Sequence, residues 1–242
     1  MQQVGDDAFA GTGTDVGWLA VRDGRDLTLV DTGWPGDVEA LEAGLATIGH
    51  HPRDVRAVLL THAHVDHLGC VNHLHHTYGV PVLMHPDEVP LARGERREQA
   101  GPVDVLVRAW RPRVAAWSAR IMRVGALSHP HVDHAEAWAA PTALDLPGGP
   151  VPVPCPGHTS GHTAYLFAGA GVVATGDALV TAHPVTRRHG PQRLPDFFSH
   201  AREEARTSLS VLAGLDADTV VPGHGPVWRG SLADAVAQAQ LA

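Results

Sequence analysis

The feature that most constrains this chain is the run THAHVDH at residues 61–67. It comes directly after the apolar run 55–60, so the pattern predicts a strand that ends in a polar loop. Neutral imidazole is the commonest protein ligand for metals, and carboxylate oxygens also bind divalent ions. The first half of the run could hold one ion and the second half another. The alternative is an incidental histidine-rich patch, since the chain contains 18 histidines.

Composition limits what can be built around this run. A chain of 242 residues with 44% apolar content can bury a sizeable core, and we expect one α/β domain over residues 1–242. The formal net charge is -8 and every basic residue is an arginine, which argues against a broad cationic face. We therefore expect a small-molecule substrate rather than nucleic acid.

The amino terminus and the cysteines indicate where the protein works. Asp6 and Asp7 stand where a signal peptide would carry basic residues, and no apolar run approaches membrane-spanning length. Cys70 and Cys155 are too few for a disulfide framework, and we expect both to be buried thiols. These observations predict a cytoplasmic protein with no membrane partner.

Short apolar runs alternate with helical patterns along the chain. The predicted strands are residues 17–21, 27–30, 55–60, 80–84, 151–155, 164–167, 171–174 and 219–221. The predicted helices are residues 38–48, 68–78, 202–215 and 231–241, the last with Ser231 as its N-cap. This alternation is typical of an α/β fold.

Three more residues of types that bind metals follow predicted strands: His158, Asp177 and His224. Loops at strand ends converge in α/β folds, so these side chains are candidates to complete the site begun by residues 61–67. Asp31 also follows a strand, and two interpretations of it stay open. It could belong to the site, or it could cap the helix predicted after it.

Residues 86–141 are predicted to form a helical insertion over one edge of the sheet. This segment could be a lid over the substrate pocket or could simply pack on the scaffold. It contains HPHVDH at residues 129–134, which repeats the His-x-His-x-Asp-His pattern. No apolar strand precedes this copy and Pro130 stiffens it, so we interpret it as a coincidence and expect no metal there.

The chain resembles the metallo-beta-lactamase superfamily. The resemblance rests on Asp31, the run 61–67, His158, Asp177 and His224, which occur in the order and strand-end context of five motifs of that family. It extends over nearly the whole chain. The fold that it implies is an αββα sandwich of two mixed β-sheets flanked by helices, with the metals at one edge of the sheets.

The resemblance also implies a ligand set for two divalent metal ions. The first ion would take His62, His64 and His158, and the second would take Asp66, His67 and His224. Asp177 would bridge the two ions, and Asp31 would steady the ligand loop through hydrogen bonds. Zinc is the expected metal, although the same ligands accept iron or manganese.

The expected activity is metal-dependent hydrolysis. Two cations sharing one water lower its pKa, so that a metal-bridging hydroxide forms near pH 7 and attacks a polarised carbonyl. Asp66 and Asp177 are the expected catalytic residues. Because an aspartate bridge is similar to the glyoxalase II and lactonase pattern, we expect a lactone, thioester or carboxylic ester.

Other functions remain possible on the same fold. One is a persulfide dioxygenase-like oxidoreductase with a single iron held by two histidines and one aspartate. Others are a β-lactam hydrolase and a metal-binding or partner-binding module without catalysis.

Overall fold

The computed structural model describes residues 1–128 and 130–241. The strands are β1 (Gln2–Gln3), β2 (Ala8–Thr12), β3 (Gly17–Asp23), β4 (Asp26–Val30), β5 (Val55–Leu59), β6 (Val82–Met84), β7 (Ala135–Ala137), β8 (Val151–Pro154), β9 (Thr163–Phe167), β10 (Val172–Gly176), β11 (Val180–Ala182), β12 (His189–Gln192), β13 (Thr219–Pro222) and β14 (Trp228–Arg229). The α-helices are α1 (Val38–Thr47), α2 (Val65–Leu68), α3 (Val71–Tyr78), α4 (Val89–Ala92), α5 (Pro102–Leu106), α6 (Pro112–Arg123), α7 (Arg202–Ser208) and α8 (Leu232–Gln240).

The strands form two mixed sheets and a separate hairpin. The larger sheet has the order β1-β2-β3-β4-β5-β6-β7; its first four strands pair antiparallel, and β4 to β7 run parallel. The smaller sheet has the order β14-β13-β10-β9-β8 and is antiparallel except for the parallel pair β10 and β13. Strands β11 and β12 form the hairpin.

The two sheets pack face to face, with helices on both outer faces. Successive side chains of a strand point to opposite faces. On β3, Leu19 and Val21 therefore meet Phe167 of the other sheet in the central core. Trp18 and Ala20 of the same strand pack on the opposite side, in the cluster shared with α1 and α3. The outer face of the smaller sheet packs against α8. The predicted αββα sandwich is confirmed.

The predicted strands agree with the observed ones to within two residues at each end. Ser231 caps α8 as expected, because its hydroxyl accepts a hydrogen bond from the backbone of Asp234. Cys70 and Cys155 are buried free thiols, as predicted. Within the part of the chain that the structure describes, no helix has the length and apolarity needed to cross a membrane.

Two predicted helices differ from the structure. The helix expected over residues 68–78 is divided into α2 and α3 at Gly69, whose backbone N–H donates to the carbonyl of Gly33. A Cβ atom at Gly69 would lie 2.2 Å from the backbone nitrogen of Pro35, so the two segments meet at a backbone contact. The helix expected over residues 202–215 ends at Ser208 and continues as a 3-10 turn.

The segment 86–141 is not purely helical, so that prediction is wrong in part. It contains α4, α5 and α6 but also β7, which pairs in parallel with β6 at the edge of the larger sheet. The three residues of β7, Ala-Glu-Ala, carry no strand signal of their own, and pairing with β6 sets their conformation. No sequence pattern predicted β1, β2, β11, β12 or β14.

Candidate metal centre

Most of the candidate ligands lie in loops or turns that follow strands. The loop after β5 carries His62 and His64, and α2 carries Asp66 and His67. His158 follows β8, Asp177 follows β10, and His224 follows β13. All seven residues are at most 9% exposed, although polar groups seldom lie so deep without partners. The structure therefore brings together every residue that the sequence proposed as a metal ligand.

The first group of ligand atoms comes from three histidines. Nε2 of His158 lies 3.2 Å from Nε2 of His62 and 3.0 Å from Nδ1 of His64. Nitrogens bound tetrahedrally to zinc at about 2.0–2.1 Å lie about 3.3 Å from one another. The spacing of these three nitrogens therefore fits one ion between them.

A second group joins the other half of the run to the last strand. Oδ2 of Asp66 lies 3.4 Å from Nε2 of His224 and 3.9 Å from Nε2 of His67. The three ligand atoms lie within 4.8 Å of one another. One carboxylate and two imidazoles are a donor set that divalent ions commonly take.

Asp177 lies between the two groups. Its Oδ2 is 3.5 Å from Nε2 of His158 and 3.4 Å from Nε2 of His224, and its Oδ1 is 3.4 Å from Nε2 of His67. A single carboxylate is thus in reach of ligands from both groups. This relationship is the one that a bridging carboxylate requires.

Asp31 contacts the residues of the ligand run through hydrogen bonds. It therefore belongs to the site and does not cap the helix that follows it. Its Oδ1 accepts a hydrogen bond from the backbone N–H of Thr61, and its Oδ2 accepts from the Thr61 hydroxyl, both at 2.8 Å. Nδ1 of His67 lies 2.8 Å from the same Oδ2. Asp31 has a φ of 59°, which is unusual for a residue other than glycine and marks a strained position.

The hydrogen bonds made by the far ring nitrogens set the tautomers of the ligands. Nδ1 of His67 can donate to Asp31, Nδ1 of His224 can donate to the carbonyl of Asp15 at 2.6 Å, and Nδ1 of His62 can donate to the Thr61 hydroxyl at 3.0 Å. In each ring the lone pair of Nε2 is then directed toward the centre. Nε2 of His67 has no hydrogen-bond partner, and neither has Oδ1 of Asp177. Buried polar atoms without partners are costly, and a metal ion would satisfy both.

The first group is held in the form that binds metals. Burial lowers the pKa values of His62 and His158 well below the usual range for histidine, and it lowers the pKa of His64 to about 4. All three imidazoles are consequently neutral at pH 7.

The second group is rich in negative charge. Burial opposes a charge on His67 and His224, but the neighbouring carboxylates outweigh it. The pKa of His67 is raised well above its usual range, and that of His224 is raised to about 10. Although burial acts in the opposite direction, these histidines lower the pKa of Asp66 to about 2. Buried carboxylates need positive partners, and a divalent cation could serve in place of these protons.

Two glutamates outside the proposed ligand set hold the ligand loops. The fully buried Glu88 accepts hydrogen bonds from the backbone N–H groups of Ala63 at 2.7 Å and Gly161 at 2.9 Å. Glu98 accepts one from the backbone N–H of Ser160 at 2.7 Å. Glu88 thus connects the loop of His62 and His64 to the loop that follows His158. Burial raises its pKa to about 7.

Two further histidines next to the ligands, His162 and His183, were not among the predicted site residues. Nε2 of His162 accepts a hydrogen bond from the backbone N–H of Asp177 at 3.1 Å, which fixes the chain at the bridging position. His183 is buried, and its ring centroid lies 4.8 Å from that of His224. His162 lies in the same glycine-flanked run as His158, which was the available signal. His183 follows β11, a strand that no pattern predicted.

The second His-x-His-x-Asp-His copy lies elsewhere, and its first histidine, His129, is outside the described residues. The His134 ring stacks on His75 with centroids 3.6 Å apart, and Val132 is fully buried. The groups of three ligand atoms found among residues 1–128 and 130–241 do not include His131, Asp133 or His134.

A cavity of about 510 Å³ opens over the centre. Its floor includes His64, Asp66, His158, Asp177 and His224, and apolar side chains from α5 and α6 contribute to its walls. The volume is within the range of small-molecule binding sites. A substrate in this cavity would therefore meet the ligand atoms directly.

Known proteins share this sequence and fold. The family model of the metallo-beta-lactamase superfamily matches residues 12–224. The probable metallo-hydrolase YflN of Bacillus subtilis is 26% identical over 212 residues, which cover 82% of this chain and 75% of that protein. A hydroxyacylglutathione hydrolase of Halorhodospira halophila is 30% identical over 208 residues, covering 86% of this chain and 60% of the relative.

Solved structures agree with the fold. A metallo-beta-lactamase family protein of Thermus thermophilus superimposes with a TM-score of 0.66 at 23% identity, over 97% of this chain and 78% of that one. A metallo-beta-lactamase of Cronobacter sakazakii, a HARLDQ motif mutant, gives a TM-score of 0.69 at 16% identity, over 98% and 92%. At these identities the likeness establishes the fold alone.

The sandwich and its His/Asp centre at the strand ends together define a metallohydrolase, with a cluster suited to divalent metal ions. The chain belongs to the metallo-beta-lactamase superfamily.

Proposed function

We propose that this protein is a dinuclear metallohydrolase that cleaves an ester-type carbonyl in a small molecule: a lactone, a thioester or a carboxylic ester. The observation that supports it most is the place of Asp177. Its carboxylate lies within 3.5 Å of a ligand nitrogen in the first group and within 3.4 Å of two in the second. An aspartate in reach of both groups suits two ions better than one.

The ligand roles follow from the two groups. His62, His64 and His158 would hold the first ion, Asp66, His67 and His224 would hold the second, and Asp177 would contact both. We propose zinc, and the same nitrogen and oxygen donors also accept iron or manganese. When bound, two such cations supply an activated water nucleophile near neutral pH and an electrophile that polarises the carbonyl.

Asp66 and Asp177 are the proposed catalytic residues, and they differ in position. The Asp177 side chain is 4% exposed and faces ligand nitrogens with both oxygens, so it fixes the spacing of the centre. The Asp66 side chain is 12% exposed at the cavity floor and faces His224 with Oδ2. We assign its Oδ1 the task of accepting a hydrogen bond from the attacking water, which would orient it toward the carbonyl.

Two further observations support the proposal. One concerns the substrate, and the other concerns the place in the cell where the protein acts. The relative from Halorhodospira halophila is a hydroxyacylglutathione hydrolase, and such an enzyme acts on a carbonyl of this kind. The two buried free cysteines fit a reducing compartment, so we propose a cytoplasmic location.

Metal analysis combined with a substrate panel tests the proposal. Protein stripped of metal and reconstituted with zinc, manganese or iron would be assayed on lactones, thioesters, carboxylic esters, β-lactams and phosphodiesters. We expect two metals per chain and turnover of the first three classes. Turnover confined to β-lactams or phosphodiesters would contradict the substrate class.

The mononuclear alternative gives a different result. A persulfide dioxygenase-like enzyme would retain one iron per chain and would consume oxygen in the presence of a persulfide. This outcome would replace the hydrolase proposal.

A further inference from the structure

The cavity over the metal centre has walls that are largely apolar. Trp34 and Trp117 line it and are only 3% and 6% exposed. Further apolar side chains line it from the segments around α5 and α6 and from the segment before α7: Val105, Leu106, Ala109, Ala115, Ile121, Met122, Ala126, Leu127, Leu194 and Phe198. The lining changes from imidazole and carboxylate at the floor to hydrocarbon above.

Some of these apolar side chains are open to water. Leu106 is 71% exposed, Leu127 is 62% exposed and Met122 is 53% exposed, and all three line the cavity. A single exposed leucine needs no explanation, but apolar residues grouped around one cavity commonly mark a binding site. These three are continuous with the proposed catalytic centre, because the same cavity has Asp177 and His224 in its floor.

The charged residues of the lining limit the class of substrate that fits the cavity. The chain contains no lysine, and among the described residues one arginine, Arg97, lines this cavity. Phosphates and polyanionic substrates are usually held by several Arg or Lys side chains. An uncharged hydrocarbon chain or ring, in contrast, would cover the exposed parts of Leu106, Met122 and Leu127 and gain from their removal from water.

We propose that the substrate carries an extended, uncharged apolar acyl group, which lies along the wall formed by Leu106, Met122 and Leu127 while its carbonyl is at the centre. The inference rests on the proposed hydrolase function and specifies its substrate class. A glutathione thioester fits this wall less well, because its glutathione portion carries two carboxylates and is not a hydrocarbon.

A series of p-nitrophenyl esters from acetyl to decanoyl tests the proposal on the zinc-reconstituted full chain. One buried methylene contributes about 0.8 kcal/mol, so kcat/KM should rise about fourfold per added methylene until the wall is covered. A kcat/KM that is flat or falls with chain length would overturn the inference while leaving the hydrolase proposal intact.

Binding of the free acids separates this inference from the hydrolase function. Calorimetric titration with decanoate and with acetate does not depend on turnover. We expect decanoate to bind at least about tenfold more tightly than acetate. If no ester is cleaved but decanoate is still preferred, the hydrolase proposal fails and the apolar subsite stands. Equal affinity for the two acids would overturn the subsite.

A matched pair of double variants locates the subsite. Leu106→Ser with Met122→Ser should lower kcat/KM for the decanoyl ester about tenfold and leave the acetyl ester nearly unchanged. Val103→Ser with Val107→Ser is the control, because these side chains are 69% and 60% exposed on or beside the same helix but do not line the cavity. We expect the control to retain the full preference for long chains.

Three outcomes of the variant experiment would contradict the proposal. Equal losses for both esters, or equal losses in both double variants, would show a general effect on folding. A change from dimer to monomer in sedimentation, confined to Leu106→Ser with Met122→Ser and without loss of chain-length preference, would assign the apolar wall to a second copy of the chain.

Discussion

Oδ2 of Asp31 lies 2.8 Å from Nδ1 of His67 and accepts a hydrogen bond from the Thr61 hydroxyl at the same distance. A carboxylate at the end of β4 thus orients a ligand on α2 and fixes the first residue of the ligand run. Because Nδ1 of His67 faces Asp31, its Nε2 is directed at the candidate metal position. A residue outside the proposed ligand set therefore controls the direction of one inside it.

Replacing Asp31→Asn should weaken metal binding without removing a ligand. The amide keeps the shape of the carboxylate, but an NH₂ group in place of Oδ2 can accept a hydrogen bond from neither the Thr61 hydroxyl nor Nδ1 of His67. Loss of such a supporting partner typically costs 10–100-fold in metal affinity, and we expect a change of about that size by chelator competition. Asp26→Asn is the control, because Asp26 pairs with Arg56 at the surface. Equal affinity of the Asp31 variant and the wild type would contradict the assignment.

Replacing Asp177→Ala should remove the bridge. We expect elemental analysis to find fewer than two metals per chain, and kcat on any ester to fall by more than about a hundredfold, beyond the usual effect of outer partners. Asp133→Ala, which changes the aspartate of the second copy, should keep both values. Full activity of the Asp177 variant would refute the proposed mechanism.

Replacing Glu88→Gln tests whether this residue positions the ligand loops. The amide can accept only one of the two backbone hydrogen bonds, and the unpaired buried N–H should cost about 1–3 kcal/mol of unfolding free energy. We also expect weaker cobalt binding and an altered visible spectrum of the cobalt-substituted protein, since the loops of His62 and His158 would shift. The exposed Glu39→Gln serves as control. A stability loss with an unchanged cobalt spectrum would limit Glu88 to a structural role.

Replacing His131→Ala and His134→Ala together should leave metal content unchanged. These residues belong to the second copy, and His134 is stacked on His75 rather than directed at a ligand group. Elemental analysis of the variant beside the wild type gives the answer. Loss of a metal would mean that the second copy is a site.

The His134 ring should also make the fold sensitive to mild acid. Burial, with a smaller effect of His75, lowers the pKa of His134 to about 4 from the ordinary 6.5. The unfolded chain therefore binds a proton at His134 more readily than the folded chain does. The contribution of the neutral ring to the free energy of unfolding is complete above pH 6.5 and is lost as the pH falls toward 4.

A single variant isolates this titration. His134→Phe keeps a ring to stack on His75 but cannot titrate. We expect the acid-induced loss of unfolding free energy to be smaller in the variant by roughly 1 kcal/mol, since solvent screens a partly exposed group. Denaturant unfolding at several pH values measures it. Parallel pH profiles for the two proteins would show that His134 does not carry the effect.

Much of the site could be predicted because its ligands follow strands with strong local patterns. The apolar run before Thr61 and the glycine-flanked run around His158 are each a continuous stretch of sequence. Their positions at strand ends could therefore be predicted without the tertiary structure. Asp31 was different. Its two possible roles use the same residue type after the same strand, and only its hydrogen bonds to Thr61 and His67 decided between them.

Glu88 shows what sequence patterns could not provide. Its partners Ala63 and Gly161 are 25 and 73 residues away, and nothing in the local sequence distinguishes it from a surface glutamate. The same is true of β7, whose Ala-Glu-Ala sequence becomes a strand only because β6 offers an unpaired edge.

The sequence by itself determined the alternation of strands and helices, the identity of the candidate ligands and their order along the chain, because apolar periodicity and residue chemistry are local properties. The tertiary structure alone decided how closely Asp177 approaches the ligand nitrogens of both groups, how Glu88 connects the ligand loops and which hydrocarbon walls surround the centre. Those relationships join residues far apart in sequence, and they exist only after the two sheets have packed and brought their strand ends to one edge.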